Sequence, residues 1–185
     1  MTTRPVVAYA GIAGAFAHEA CSAFLPDHEP LARPDFAAAI AAVRTGTAAC
    51  AMLPLDNVEA GPTGAEALII RGGLAIQATH LLPIRMHLLG LPGARMDRLR
   101  TIASHPVALA QCRRFLATMA VEVEEASNTA VAAQGLKRLD QGALASAAAA
   151  KLYDLEILRE NVHDRADNFT RFAVAGPMDR AARAA

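Results

Sequence analysis

The sequence predicts an α/β protein of two small αβ lobes with a central cleft. Three observations carry this. Short apolar runs alternate with helical periodicity along nearly the whole chain, the pattern of a largely parallel sheet with crossover helices. An extended apolar stretch from Leu74 to Leu91 offers a crossing from one lobe to the other. A last strand-like run, Thr170 to Ala175, follows a polar loop and can rejoin the first lobe. The lobes are therefore assigned to residues 1–76 with 161–185, and to residues 77–160. Ligands of such folds bind in the groove at the carboxyl ends of strands.

The elements follow in order. Pro5 to Ala10 reads as a strand ending in the turn Gly11-Ile12-Ala13-Gly14, and a helix runs from about Ala15 to Phe24. Glu29 to Ala32 is a second strand. Asp35 stands where an N-cap belongs, ahead of Phe36, Ile40 and Val43 on one helical face, and Gly46 stops that helix. Cys50 to Leu53 is a third strand, closed by Pro54 and the polar turn Asp56-Asn57. Leu74 to Leu91 is two strands or one bent strand. Thr101 to Ala103 is a strand, after which Ser104 is placed to cap a helix with proline in its first turn. Leu109, Cys112, Phe115 and Leu116 form that helix's buried stripe. Val121 to Glu124 alternates as a half-buried strand does. Thr129 to Leu139 is helical with Ala132, Leu136 and Leu139 inward. A short strand at Ala143-Leu144, an alanine-rich helix and an extended Glu156 to Leu158 follow. Asn161 to Asn168 is a polar loop, Gly176-Pro177 ends the last strand, and the tail from Asp179 to Ala185 is expected to be loose.

Composition narrows the function. The 185 residues are 54% hydrophobic and 19% charged, enough to bury a core. Eighteen basic residues balance eighteen acidic ones, which argues against a nucleic-acid or membrane-surface partner. Three scattered cysteines, Cys21, Cys50 and Cys112, form no C-x-x-C pair and read as small buried hydrophobes of a reducing compartment. No apolar leader follows Met1, so a cytoplasmic location is expected. His80, His87 and His105 have no second ligand at metal spacing, so no metal is expected. Gly11 to Gly14 is too glycine-poor for a nucleotide fingerprint, and no cofactor is expected either.

Several segments resemble one family. Asn168-Phe169-Thr170-Arg171-Phe172 matches an N-x-T-R-F signature, and Ser104-His105-Pro106-Val107-Ala108-Leu109-Ala110-Gln111-Cys112 matches S-H-P-Q-A-L-A-Q-C at every position but one. Asn128 to Ala133 resembles S-T-A-x-A-A, Leu53 to Val58 resembles I-P-I-E-N-S, and Tyr9 to Ala17 resembles Y-x-G-P-x-G-T-F-S. In this order and spacing the chain resembles the prephenate dehydratase family. The resemblance implies a periplasmic-binding-protein type II-like fold, a homodimer, and a small dicarboxylate as substrate. The family's common regulatory domain of the ACT type is expected to be absent, and with it sensitivity to phenylalanine unless a partner supplies it.

The implied reaction is decarboxylating dehydration of prephenate to phenylpyruvate. Arogenate dehydration, decarboxylation without aromatisation, and organic-acid binding without turnover are the alternatives. Such chemistry needs fixed anions and a donor at a departing hydroxyl, with no nucleophile. The resemblance makes Thr170 that catalytic donor. Alone, Thr170 is simply a strand-favouring residue. Substrate-binding candidates are Asn57, Ser104, His105, Asn128, Thr129, Arg171 and Phe172. Ser104, Asn128 and Thr129 open helices, where free N–H groups and the dipole favour a carboxylate; their plainer role is capping. His105 can donate to a carboxylate or serve structurally. Arg171 suits bidentate carboxylate binding, or a salt bridge bracing its loop. Neighbouring strand residues face opposite ways, so Thr170 and Arg171 serve one pocket only if the strand is twisted or bulged there. Phe172 shares Thr170's face as core or pocket wall. The departures are directional: Ala15, Ala17, Val58 and Val107 stand where the family has polar side chains, and Ile12 replaces proline.

Overall fold

The computed structural model describes residues 4–178, so the expectation of a loose tail lies outside the described residues. The chain divides into two compact units. The first holds residues 4–12, 17–82 and 169–178; the second holds residues 13–16 and 83–168. The expected lobe bounds of 76 and 160 thus fall within the fifth strand and just after the tenth, whereas the units part at Leu82–Pro83 and Asn168–Phe169. The glycine turn was not expected to leave the first unit, yet residues 13–16 pack with the second.

The first unit contains β1 (Val6–Ala10), α1 (Phe16–Phe24, entered from the second unit), β2 (Glu29–Arg33), α2 (Phe36–Arg44), β3 (Cys50–Asn57), β4 (Gly61–Pro62), α3 (Ala65–Arg71) and β5 (Leu74–Pro83). The final strand, β11 (Phe169–Pro177), returns to it. The sheet order is β2-β1-β3-β11-β5, with β4 paired to β3. β1 runs parallel to β2 and β3, but β11 and β4 run antiparallel to β3, so the sheet is mixed rather than largely parallel. A returning terminal strand enters from the opposite end, which reverses its direction.

Local chemistry sets these bounds. Asp35 accepts a hydrogen bond from Ala38 N at 2.7 Å and caps α2. Gly46, at φ +75, takes the left-handed conformation that ends it. The helix buries Ala39, Ile40, Ala42 and Val43 against Leu53, Leu55, Ile69 and Ala173. Pro54 does not close β3. The strand continues to Asn57, because β1 pairs only as far as Met52, and Pro54 lies beyond it at a register shift against β11. β11 likewise runs through Gly176 to Pro177.

The second unit contains β6 (His87–Gly90), β7 (Thr101–Ser104), α4 (Pro106–Gln111), α5 (Arg113–Leu116), β8 (Glu122–Glu125), α6 (Thr129–Gln134), β9 (Gln141–Ala145), α7 (Ala147–Leu152) and β10 (Glu156–Arg159). Its sheet order is β10-β6-β9-β7-β8, with β9, β7 and β8 mutually parallel and β6 antiparallel to β9 and β10. Leu89, Ala132, Ala133, Leu136, Ala143, Ala145 and Ala149 form its core. Four expectations are corrected here. His105, not Ser104, caps α4, since Ser104 is the last residue of β7. The expected single helix after it breaks at Cys112 into α4 and α5, leaving Phe115 and Leu116 half-buried. β8 is exposed at every position because it is an edge strand with no layer over it. α6 ends at Gly135, so Leu136 is buried but Leu139 is 54% exposed. Among the described residues, no helix is long and apolar enough to cross a membrane.

Candidate active-site residues

In the first unit the parallel strands β1, β2 and β3 end at Ala10, Arg33 and Asn57, and β11 begins beside the end of β3. Thr170 pairs directly with Asn57 across β3 and β11. Its side chain is buried, as are residues 172–176, while Arg171 between them is exposed. Asn57 Oδ1 accepts from Glu59 N at 3.0 Å and Ala60 N at 2.9 Å, which fixes the amide's orientation. Nδ2 therefore points the other way and donates to Phe169 O at 2.9 Å and Thr170 Oγ1 at 3.0 Å. The consequence is chemical. A Thr170 oxygen that accepts from Asn57 keeps its own hydrogen for another acceptor, and accepting polarises that O–H.

Arg171 donates from both Nε and Nη2 to Asp56 Oδ2, the first at 2.9 Å. The pair braces neighbouring strands and leaves the Nη1 donors uncommitted. The register shift between Arg171 and Phe172 falls where a bulge was required for Thr170 and Arg171 to share a pocket, but the two side chains keep opposite exposures. Phe172, 2% exposed, is a core residue.

In the second unit three helices start at the carboxyl ends of three adjacent parallel strands. α4 follows β7, α6 follows β8 and α7 follows β9. Their caps are side chains: His105 Nδ1 accepts from Val107 N at 3.2 Å, Asn128 Oδ1 from Ala130 N at 2.8 Å, and Ser146 Oγ from Ala149 N at 3.1 Å. The His105 contact leaves Nε2 to carry the hydrogen of the neutral ring. Ser104 is fully buried and its hydroxyl donates to Leu144 O at 2.6 Å, so its single hydrogen is spent inside the sheet. Asn128 Nδ2 and the Thr129 hydroxyl have no hydrogen-bond partner among the described residues, although Thr129 is 8% exposed. Both donors are uncommitted among the described residues.

Sequence reasoning missed Ser146 and Tyr153. Ser146 Oγ also donates to Gly14 O at 3.2 Å, and Tyr153 OH donates to Ala13 O at 2.5 Å. Gly14, at φ +84, lies where any Cβ would come within 3.2 Å of Ala149 Cα. The glycine turn is thus held by α7. A serine before an alanine run is a readable N-cap signal; its second bond to a remote carbonyl is not.

Of the departures, Ala15 and Ala17 are buried, whereas Val58 is 54% and Val107 is 41% exposed. The three cysteines are buried and form no disulfide, and burial pushes the Cys21 thiol up to about 12 and Cys50 upward as well, which leaves these two poor nucleophiles. No cluster of metal-ligating side chains occurs among the described residues.

Two α/β units, each with polar side chains at the carboxyl ends of its parallel strands, define an α/β protein of the kind whose ligands bind at strand ends. A family model described as prephenate dehydratase matches residues 7–179. A bifunctional N-acyl-homoserine lactone acylase/prephenate dehydratase of Komagataeibacter europaeus is 38% identical over 179 residues, covering 95% of this chain and 64% of that protein. Arogenate dehydratase/prephenate dehydratase 1 of Arabidopsis thaliana is 35% identical over 172 residues, covering 91% of this chain and 44% of that one. The crystal structure of prephenate dehydratase from Arthrobacter aurescens, in complex with L-Phe, matches with a TM-score of 0.86 at 28% identity, covering 94% of this chain and 60% of that one. The chain belongs to the prephenate dehydratase family. It spans less than two thirds of the length of each of these relatives.

Proposed function

We propose that this chain catalyses the decarboxylating dehydration of prephenate to phenylpyruvate, as a carbon–oxygen lyase of phenylalanine biosynthesis. The observation that carries the reading is the Thr170 hydroxyl, held as an acceptor by Asn57 and so free to donate. In the reaction the bond from the ring to its carboxylate breaks and CO2 leaves. The released electron pair aromatises the ring and expels the hydroxyl at its far end. Thr170 stabilises the charge developing on that oxygen; solvent supplies the proton that completes water. A threonine is too weak an acid to give up its proton, so its contribution is a fixed dipole.

Asn57 acts as a positioning residue rather than as a substrate contact, since its amide is committed within the chain. The carboxylates are assigned to Asn128 Nδ2, the Thr129 hydroxyl and His105 Nε2, with the Nη1 donors of Arg171 as a further candidate. Nothing in this scheme calls for a metal or redox cofactor. Arogenate, which bears an amine in place of the keto group, is the alternative substrate of the same chemistry.

The decisive experiment incubates purified protein with prephenate and, separately, with arogenate at neutral pH. Formation of phenylpyruvate or phenylalanine above the spontaneous rate is expected. Absence of both products would sink the reading. A second reading, N-acyl-homoserine lactone hydrolysis, draws on the name of the Komagataeibacter relative and on exposed Val58 and Val107, which favour a less polar ligand. Release of free homoserine lactone distinguishes it.

A further inference from the structure

We propose that the first unit carries a second anion site, a groove of about 420 Å³ flanked by Arg44 and Arg71, that takes the phosphate or carboxylate group of a small metabolite. Val43 and Leu74, both buried, and Pro177 give its lining an apolar part. Gly73 adds no side chain to narrow it. The groove lies away from the candidate active end of the unit. Thr170 is the second residue of β11 and Pro177 its last, and at roughly 3.3 Å per residue the two are about 23 Å apart along the strand.

The charges point to an anion. Among the described residues no acidic side chain lines the groove, and neither arginine has an ion-pair partner. Arg71 spends only Nε, on Ala67 O at 3.3 Å, which leaves its Nη donors available. By contrast Arg95, Arg138, Arg165 and Arg171 each hold an aspartate. A plainer account exists: each arginine sits in the last turn of its helix, α2 or α3, where a cation offsets the helix dipole. That explains each charge singly. It does not explain why two guanidinium groups border one hollow lined by no carboxylate among the described residues. Two like charges repel, and a bound oxyanion relieves the repulsion while matching the guanidinium fork.

The test titrates inorganic phosphate and malonate separately into the intact chain, at an ionic strength held constant with sodium chloride. Thermal shift reads both, and broadening of the phosphorus resonance reads phosphate directly. Saturable stabilisation with a Kd on the order of 1 mM is expected, weakened at least tenfold in the Arg44→Gln/Arg71→Gln double variant. Response to phosphate alone assigns phosphate esters, and response to malonate alone assigns carboxylates. A second measurement needs no variant: either anion should shield Arg44 and Arg71, but not Arg95, from phenylglyoxal, read by peptide mass spectrometry. Equal labelling with and without both anions, or a double variant that responds like the wild type, overturns the proposal. Thr170→Val should leave anion binding intact, which separates this site from the proposed reaction.

Discussion

At the scale of single residues, the direction of one hydrogen bond carries the chemistry. Thr170→Val keeps the shape and β-propensity of the side chain but deletes the donor. Because the donor acts only as the carbon–oxygen bond breaks, kcat should fall by about a hundredfold or more while KM changes little. Thr170→Ser restores the hydroxyl and should recover much of the rate. Asn57→Asp is the sharper probe. The carboxylate can still accept from Glu59 N and Ala60 N, but it replaces the Nδ2 donor with an acceptor. Thr170 would then turn its hydrogen toward the carboxylate, and kcat should drop nearly as far as in Thr170→Val. Steady-state kinetics on both variants checks this; an Asn57→Asp enzyme with wild-type kcat removes the proton-direction argument. The residues themselves were legible in the sequence through their motifs. Their roles were less so, because whether Asn57 touches substrate or orients Thr170 depends on which atoms face each other across two strands 113 positions apart.

Elements were readable where their causes are local. Asp35 before an apolar helical stripe, and Gly46 after it, mark α2 because capping and the left-handed turn need only neighbouring residues. Replacing Asp35 with alanine should lower stability by about 1 kcal/mol, or roughly 2–4 °C in Tm for a chain of this size. A calorimetric scan measures it, and an unchanged Tm would mean that α2 does not depend on its cap. Elements whose bounds depend on distant partners were not readable. Pro54 looks like a strand breaker until β11 is known to lie beside it at a register shift and β1 to have stopped at Met52. The alternation in Val121 to Glu124 suggests one buried face, but β8 pairs only with β7 at the sheet's edge, where its glutamates discourage further pairing. The same holds for sheet direction: alternating αβ units predict parallel strands, and the return of β11, the short β4 and the turn into β6 depart from that.

At the scale of the whole molecule, each unit holds a histidine whose pKa burial lowers, half-buried His18 in the first and buried His87 in the second, and this gives stability a defined dependence on pH. His18, whose ring lies 5.4 Å from that of Tyr9, has its pKa lowered by burial. His87 is lowered chiefly by burial too, with His163 and Arg85 adding to the effect and Glu160 opposing it. Its Nδ1 accepts from Asn161 N at 3.3 Å, a bond that needs the unprotonated nitrogen. In the unfolded chain both rings titrate near 6.5, so below that value the unfolded state takes up protons that the folded state refuses. Stability is therefore full above about pH 7 and declines as pH falls through 6.5 toward the lower folded values. Asp97, Asp140 and Asp167, held below their ordinary range by hydrogen bonds from Arg95, Arg138 and Arg165, act in a separate window. Their contribution is lost only below about 3.8, the unfolded aspartate value. Two acid steps are thus expected in a plot of Tm against pH. The upper step should shrink in His87→Asn, whose Oδ1 can keep accepting from Asn161 N without titrating. A Tm that stays level from pH 7.5 to pH 5, or an upper step of undiminished size in that variant, would mean that these rings protonate in place at no cost to the fold.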